Sequence, residues 1–117
     1  MAKADARRAR AMATYKKMGW GDNGHLKAVD EDYWAITTDI VFGEIWSRPG
    51  LSLRERELVT IAALMASKAD GIATHMRHAN ALGITYDEIK EVIIQCNSIW
   101  NAEGHLCDPK IEGGDGR

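Results

Sequence analysis

Basic excess, cysteine, proline and long apolar runs are all scarce in this 117-residue chain, and each scarcity removes a class of function. The formal net charge is −2, so the chain lacks the basic surplus with which proteins neutralise nucleic-acid phosphates. Its one basic cluster, Arg7, Arg8, Arg10, Lys16 and Lys17, is interleaved with alanine as on a solvated helix. Two cysteines, Cys96 and Cys107, are too few for a secreted disulfide framework and lie far from C-x-x-C spacing, so they read as a packed and an incidental thiol. No apolar stretch reaches the roughly 18 residues that span a bilayer. The opening Met1-Ala2-Lys3-Ala4-Asp5 also lacks the apolar region of a signal peptide. A soluble, cytoplasmic protein is expected, with no nucleic-acid or membrane partner.

Alternating strand patterns and internal repeats are missing too, which leaves helices. The length suits one domain spanning residues 1–117. Residues 3–18, rich in Ala, Arg, Lys and Met, predict a first helix closed by Gly19, and the glycines of residues 19–25 a loop. The acidic run Asp30-Glu31-Asp32 followed by Trp34, Thr37, Val41 and Ile45 predicts a second helix from about Glu31 to Trp46, stopped by Pro49-Gly50. Ser52-Leu53-Arg54-Glu55 has the form of a capping box for a third helix. Its continuation, Leu58 to Ala66, is apolar nearly all round and is expected to be buried at the centre of the fold. Asp70 is a candidate cap for a fourth helix ending at Gly83. A second capping box, Thr85-Tyr86-Asp87-Glu88, opens a fifth helix carrying the stripe Ile89, Val92, Ile93, Cys96 and Trp100. Residues 101–117, with Pro109 and four glycines, read as an irregular tail. The fold class is therefore all-α, a bundle of about five to six helices, whose unfinished apolar faces predict a homo-oligomer.

Chemistry-bearing residues concentrate in three segments: Gly43 to Gly50, Arg54 to Leu58, and His75-Met76-Arg77. They bring carboxylates, guanidinium groups, an imidazole and an indole to one helical hairpin. An Arg can hold a carboxylate by paired hydrogen bonds, Trp46 can wall a planar ring, and a His beside that wall can move a proton near neutral pH. The competing reading is plain: Trp46 as core, Arg54 and Arg56 paired with Glu55 and Glu57 on an exposed face, and His78 in solvent. Metal ligation is disfavoured, because neither His75 with His78 nor His105-Leu106-Cys107-Asp108 approaches a zinc spacing.

The run Gly43-Glu44-Ile45-Trp46-Ser47-Arg48-Pro49-Gly50-Leu51, with Arg54-x-Arg56-Glu57-Leu58-Val59-Thr60-Ile61-Ala62-Ala63-Leu64, resembles the carboxymuconolactone decarboxylase signature. From His75-Met76-Arg77 through Ala81-Leu82-Gly83-Ile84-Thr85 to Gln95 the resemblance continues in register, covering about residues 30–96. It implies an AhpD-like helical subunit assembled as a trimer or hexamer. It also implies a cofactor-independent carboxy-lyase that removes carbon dioxide from 4-carboxymuconolactone or a related lactone or keto acid. The peroxidase branch of the superfamily places its two redox cysteines where this chain has Lys68 and Gly71, so the thiols which that chemistry requires are absent. On this resemblance His75 is the expected proton donor and Glu57 orients it. Arg48 or Arg77 is expected to hold carboxylates, with Trp46 and Glu44 completing the substrate site. After Gln95 the sequence departs from the Gly-Val-Pro-Ala-Ala-like turn usual in the family, a change that bears on the substrate more than on the fold. The alternative is a non-catalytic helical oligomer that binds a small hydrophobic acid or a protein partner.

Overall fold

The computed structural model describes residues 2–103. Among them are six α-helices and no strand: α1 (Ala2–Met18), α2 (Gly24–Val29), α3 (Glu31–Ile36), α4 (Leu53–Ser67), α5 (Ile72–His78) and α6 (Tyr86–Glu103). Helix α3 runs on without a break as a π-helix, Thr37–Ile45, and α5 as a short 3₁₀ segment, Ala79–Leu82. No described helix is long and apolar enough to cross a membrane.

Both capping boxes form. Ser52 Oγ accepts from the Glu55 N–H at 3.1 Å while Glu55 accepts from the Ser52 N–H at 2.8 Å. At α6 the Thr85 and Glu88 equivalents are 3.1 and 3.0 Å. These bonds to the charged form hold the Glu55 and Glu88 carboxyls below the ordinary range, the backbone N–H of the capping residue being the larger cause in each. Arg54 pairs with Glu88 and so ties the start of α4 to the start of α6. That pairing corrects the expectation that Arg54 and Arg56 serve Glu55 and Glu57.

Other expectations are also corrected. The loop after α1 is shorter than predicted, because residues 24–29 turn into α2. Asp70 does not cap α5: Lys68 takes a left-handed conformation (φ 56°) to end α4, and Asp70 falls inside the turn that follows, so α5 starts after Gly71 without a side-chain cap. Helix α6 continues through Glu103, past the predicted end at residue 100. His105, Cys107, the rest of the tail from Gly104 and the side chain of Trp100 lie outside the described residues. Helix α4 is not buried all round in the single chain. Only Glu57 and Ile61 are fully covered, and Val59 is 59% exposed.

The core is built in two clusters rather than around α4. In one, Ala11, Tyr15 and Met18 of α1 meet Phe42 and Trp46; in the other, Ile61 of α4 meets Ala79 and Ile84. The π-helix decides which side chains join the first cluster. Trp46 N–H donates to the Val41 carbonyl five residues back at 2.8 Å, so the turn is wider than the 3.6 residues of an α-helix. The buried line consequently runs Trp34, Thr38, Phe42, Trp46, one residue off the expected Thr37, Val41, Ile45, and Ile45 is left half exposed. Gly43 lets α1 cross this segment closely: a Cβ there would sit 2.5 Å from the Arg7 carbonyl oxygen. Arg10 Nε clamps the crossing by donating to the Gly43 carbonyl at 2.9 Å. A buried polar chain completes it, with Tyr15 Oη bonded to Thr38 Oγ1 at 2.9 Å and receiving Asn23 Nδ2 at 3.3 Å.

Gly43→Ala is expected to cost about 1–3 kcal/mol in denaturant unfolding, since backbone rather than a flexible side chain must move to admit the methyl group. The capping carboxylates give an acid dependence with a defined sign. Their folded-state pKa values lie below the unfolded ones, so their stabilisation is complete above the ordinary Glu range of about 4.3 and is lost as pH falls through the lowered values. The thermal midpoint is expected to fall on acidification through that window. The Glu55→Gln, Glu88→Gln double variant is expected to start lower at neutral pH and to lose less.

Candidate active site

Glu57 lies one turn before Ile61, and these two are the buried positions of α4. A carboxylate in that position is costly unless it is paired, because burial strips its water. Its partner comes from α5: His75 Nδ1 lies 2.5 Å from Glu57 Oε1, with Glu57 fully buried and the His75 side chain 13% exposed. The second carboxylate oxygen, Oε2, is buried with no hydrogen-bond partner. Among the described residues Glu57 thus has one ion-pair partner, the imidazole. With the carboxylate as acceptor, the shared proton belongs to Nδ1, and Nε2 is the ring nitrogen that Glu57 does not engage. Nε2 makes no hydrogen bond among the described residues, and the His75 side chain keeps 13% of its surface exposed.

Aromatic rings enclose the pair. Trp46 stacks on His75 with centroids 5.8 Å apart and planes 19° apart. Trp20, from the loop between α1 and α2, meets the same imidazole edge-on at 5.0 Å and 65°. Phe42 bridges the two indoles, 5.3 Å from Trp20 and 5.5 Å from Trp46. In so apolar a niche the Glu57–His75 hydrogen bond is stronger than in water. His78 is not in solvent as expected. It is half-buried, with its ring 6.3 Å from that of Trp20.

The structure therefore brings together three of the residues singled out in the sequence: Glu57, His75 and Trp46. The other three stand apart from them. Glu44 is exposed and bonded to Arg7 at 3.1 Å. Arg48 is exposed, its carbonyl accepting from Arg56 Nη2 at 2.9 Å. Arg77, exposed on α5, is two residues from His75 and so roughly 200° around the helix. Sequence reasoning missed Trp20 and Phe42. The available signal was an indole set in a glycine-rich turn, where Gly19 (φ 76°), Gly21 (φ 65°) and Asn23 (φ 56°) all adopt left-handed backbone. Among the described residues no three His, Cys, Asp or Glu side chains converge on a metal site. A groove of about 220 Å³ between α4 and α6, lined by Met65, Lys68, Ile93 and Cys96, opens two turns along α4 from Glu57.

Residues 31–103 match the sequence model described as the Carboxymuconolactone decarboxylase family. The chain belongs to that family. The matched region holds Glu57, His75, Phe42 and Trp46, but not Trp20. Among curated family relatives, a 4-carboxymuconolactone decarboxylase of Acinetobacter baylyi is 39% identical over 74 residues, 62% of this chain and 55% of that protein. A nitrosuccinic acid decarboxylase of Metarhizium robertsii is 33% identical over 60 residues, 50% of this chain and 42% of that protein. The chain spans about half the length of the curated relatives it matches. No solved structure matches it.

Proposed function

We propose that the chain is a cofactor-independent decarboxylase acting on 4-carboxymuconolactone or a related lactone or keto acid. The observation that carries this reading is the Glu57–His75 pair, 2.5 Å apart and walled by two indoles. The two relatives support it, because both are named as decarboxylases although their named substrates differ. Loss of carbon dioxide leaves an electron pair that must delocalise into an adjacent unsaturated system and then take up a proton. Glu57 accepts from Nδ1, and in the proposed step a doubly protonated His75 delivers its Nε2 proton to carbon. The step ends with a neutral imidazole protonated at Nδ1 and an unchanged Glu57 carboxylate, and solvent restores the proton at Nε2. Trp46 packs against the ring of the substrate, and Arg48 or Arg77 holds its carboxylates.

Neither guanidinium hydrogen-bonds to the Glu57–His75 pair, and several apolar side chains of α3, its π-helical continuation and α4 are uncovered, among them Tyr33, Ile36, Ile40 and Val59. We propose on this ground a homo-oligomer, trimer or hexamer, in which neighbouring subunits cover those faces and complete the substrate site. Cys96 as a free thiol fits a reducing, cytoplasmic setting.

His75→Ala would strand a buried carboxylate, at a cost of about 3–5 kcal/mol, and confuse chemistry with folding. His75→Asn is the cleaner test, because the amide N–H can still serve Glu57 while the Nε2 proton is gone. Carbon dioxide release is to be measured on 4-carboxymuconolactone, nitrosuccinate and a panel of lactone acids. The expected outcome is turnover of at least one compound by the wild type and about 10²–10⁴-fold less by His75→Asn. Undiminished turnover in the variant overturns the assignment of His75, and inertness of the wild type towards the whole panel overturns the decarboxylase reading.

A further inference from the structure

Trp20 lies outside the region that defines the family, yet it makes the closest ring contact to His75, at 5.0 Å against 5.8 Å for Trp46. Its place is set by backbone. Trp20 N–H donates to the Tyr15 carbonyl at 2.9 Å, and its own carbonyl accepts from Asn23 N–H at 3.1 Å. Two of the three left-handed residues of this turn, Gly19 and Gly21, flank Trp20 directly. The turn lies close against the end of α5, because a Cβ on Gly19 would be 3.5 Å from Ala81 Cβ and 3.8 Å from His78 Nδ1. The indole thereby contacts two imidazoles one turn apart on α5, His75 and His78, with Phe42 and Tyr15 also within ring-contact distance. Among the described residues its buried Nε1–H has no hydrogen-bond partner, so packing, and no side-chain hydrogen bond, holds the ring there.

From this we infer that Trp20 is a positioning residue for His75, supplied by the N-terminal segment. Glu57 fixes the imidazole at one atom, Nδ1, which leaves the ring free to swing about that contact. Trp46 limits the swing across one face, and Trp20 limits it from the edge-on direction. The two contacts together settle where Nε2 lies. Proton delivery to carbon is sensitive to such placement, since a misplacement of about 1 Å can cost on the order of 10²-fold in rate. Because the hold is steric and the indole N–H has no partner, a phenyl ring at the same place is sufficient. The N-terminal segment, beyond its share of the core, then sets the orientation of an imidazole carried by the family region.

The inference rests on the reading of His75 as the proton carrier, and its test separates the two. Trp20→Leu and Trp20→Phe are compared with wild type for kcat and KM in the carbon dioxide assay. In parallel, the His75 resonances are followed by NMR in histidine-labelled full-length protein without substrate, with helix content and thermal midpoint as the folding control. Trp20→Leu is expected to lower kcat about 30-fold or more with KM within about threefold, and to broaden or split the His75 signal. Trp20→Phe is expected to restore a single sharp signal and kcat to within about fivefold. An unchanged His75 signal or an unchanged kcat in Trp20→Leu overturns the role. So does a Trp20→Phe as impaired as Trp20→Leu, which would place the function in the indole N–H instead. If no compound is turned over by wild type, the decarboxylase reading falls, and the His75 spectra alone still decide whether Trp20 positions the ring.

Discussion

A fully buried carboxylate whose one hydrogen-bond partner among the described residues is an imidazole constrains everything near it. Glu57 is fully buried, and among the described residues its Oε2 has no donor and His75 is the one group paired with it. Helices α4 and α5 are therefore coupled through a contact that neither can give up without leaving an uncompensated buried group. With Glu57 as acceptor, the same contact places the proton on Nδ1 and leaves Nε2 as the nitrogen that the proposed chemistry uses. Structure and chemistry meet in one hydrogen bond.

The aromatic wall around that bond depends on elements far from it in sequence. Trp46 meets His75, and Phe42 backs the two indoles, because the chain from Thr37 to Ile45 is wound as a π-helix, which shifts the buried line by one residue. That segment is pinned to α1 at Gly43, where the Arg7 carbonyl leaves no room for a Cβ. Helix α1 in turn ends in the left-handed turn that presents Trp20. The N-terminal segment thus serves the site twice, once by supporting the π-helix and once by contributing a ring.

Much of this was legible in the sequence, and for identifiable reasons. Ser52/Glu55 and Thr85/Glu88 announce helix starts because capping is local, involving groups three residues apart. Glu57 and His75 were named from the resemblance of their surrounding runs to a known family, and the structure finds them bonded. What escaped was long-range or depended on an uncommon ladder. Nothing in residues 37–45 distinguishes an i→i+5 from an i→i+4 pattern, so Thr37, Val41 and Ile45 were expected where Thr38, Phe42 and Trp46 are found. The burial of α4 was overestimated because an apolar run shows that faces want cover without showing which chain supplies it. Trp20 was passed over because a loop position carries no periodicity, and its meeting with His75 spans more than fifty residues.

The measurement closest to the central claim is the proton between Glu57 and His75. In ¹⁵N-histidine-labelled protein, the account predicts one imidazole, that of His75, with its proton on Nδ1 and that proton far downfield of those of the other histidines, the shift collapsing in Glu57→Gln. A His75 protonated at Nε2 alone, or an Nδ1 proton that is indifferent to Glu57→Gln, would contradict it.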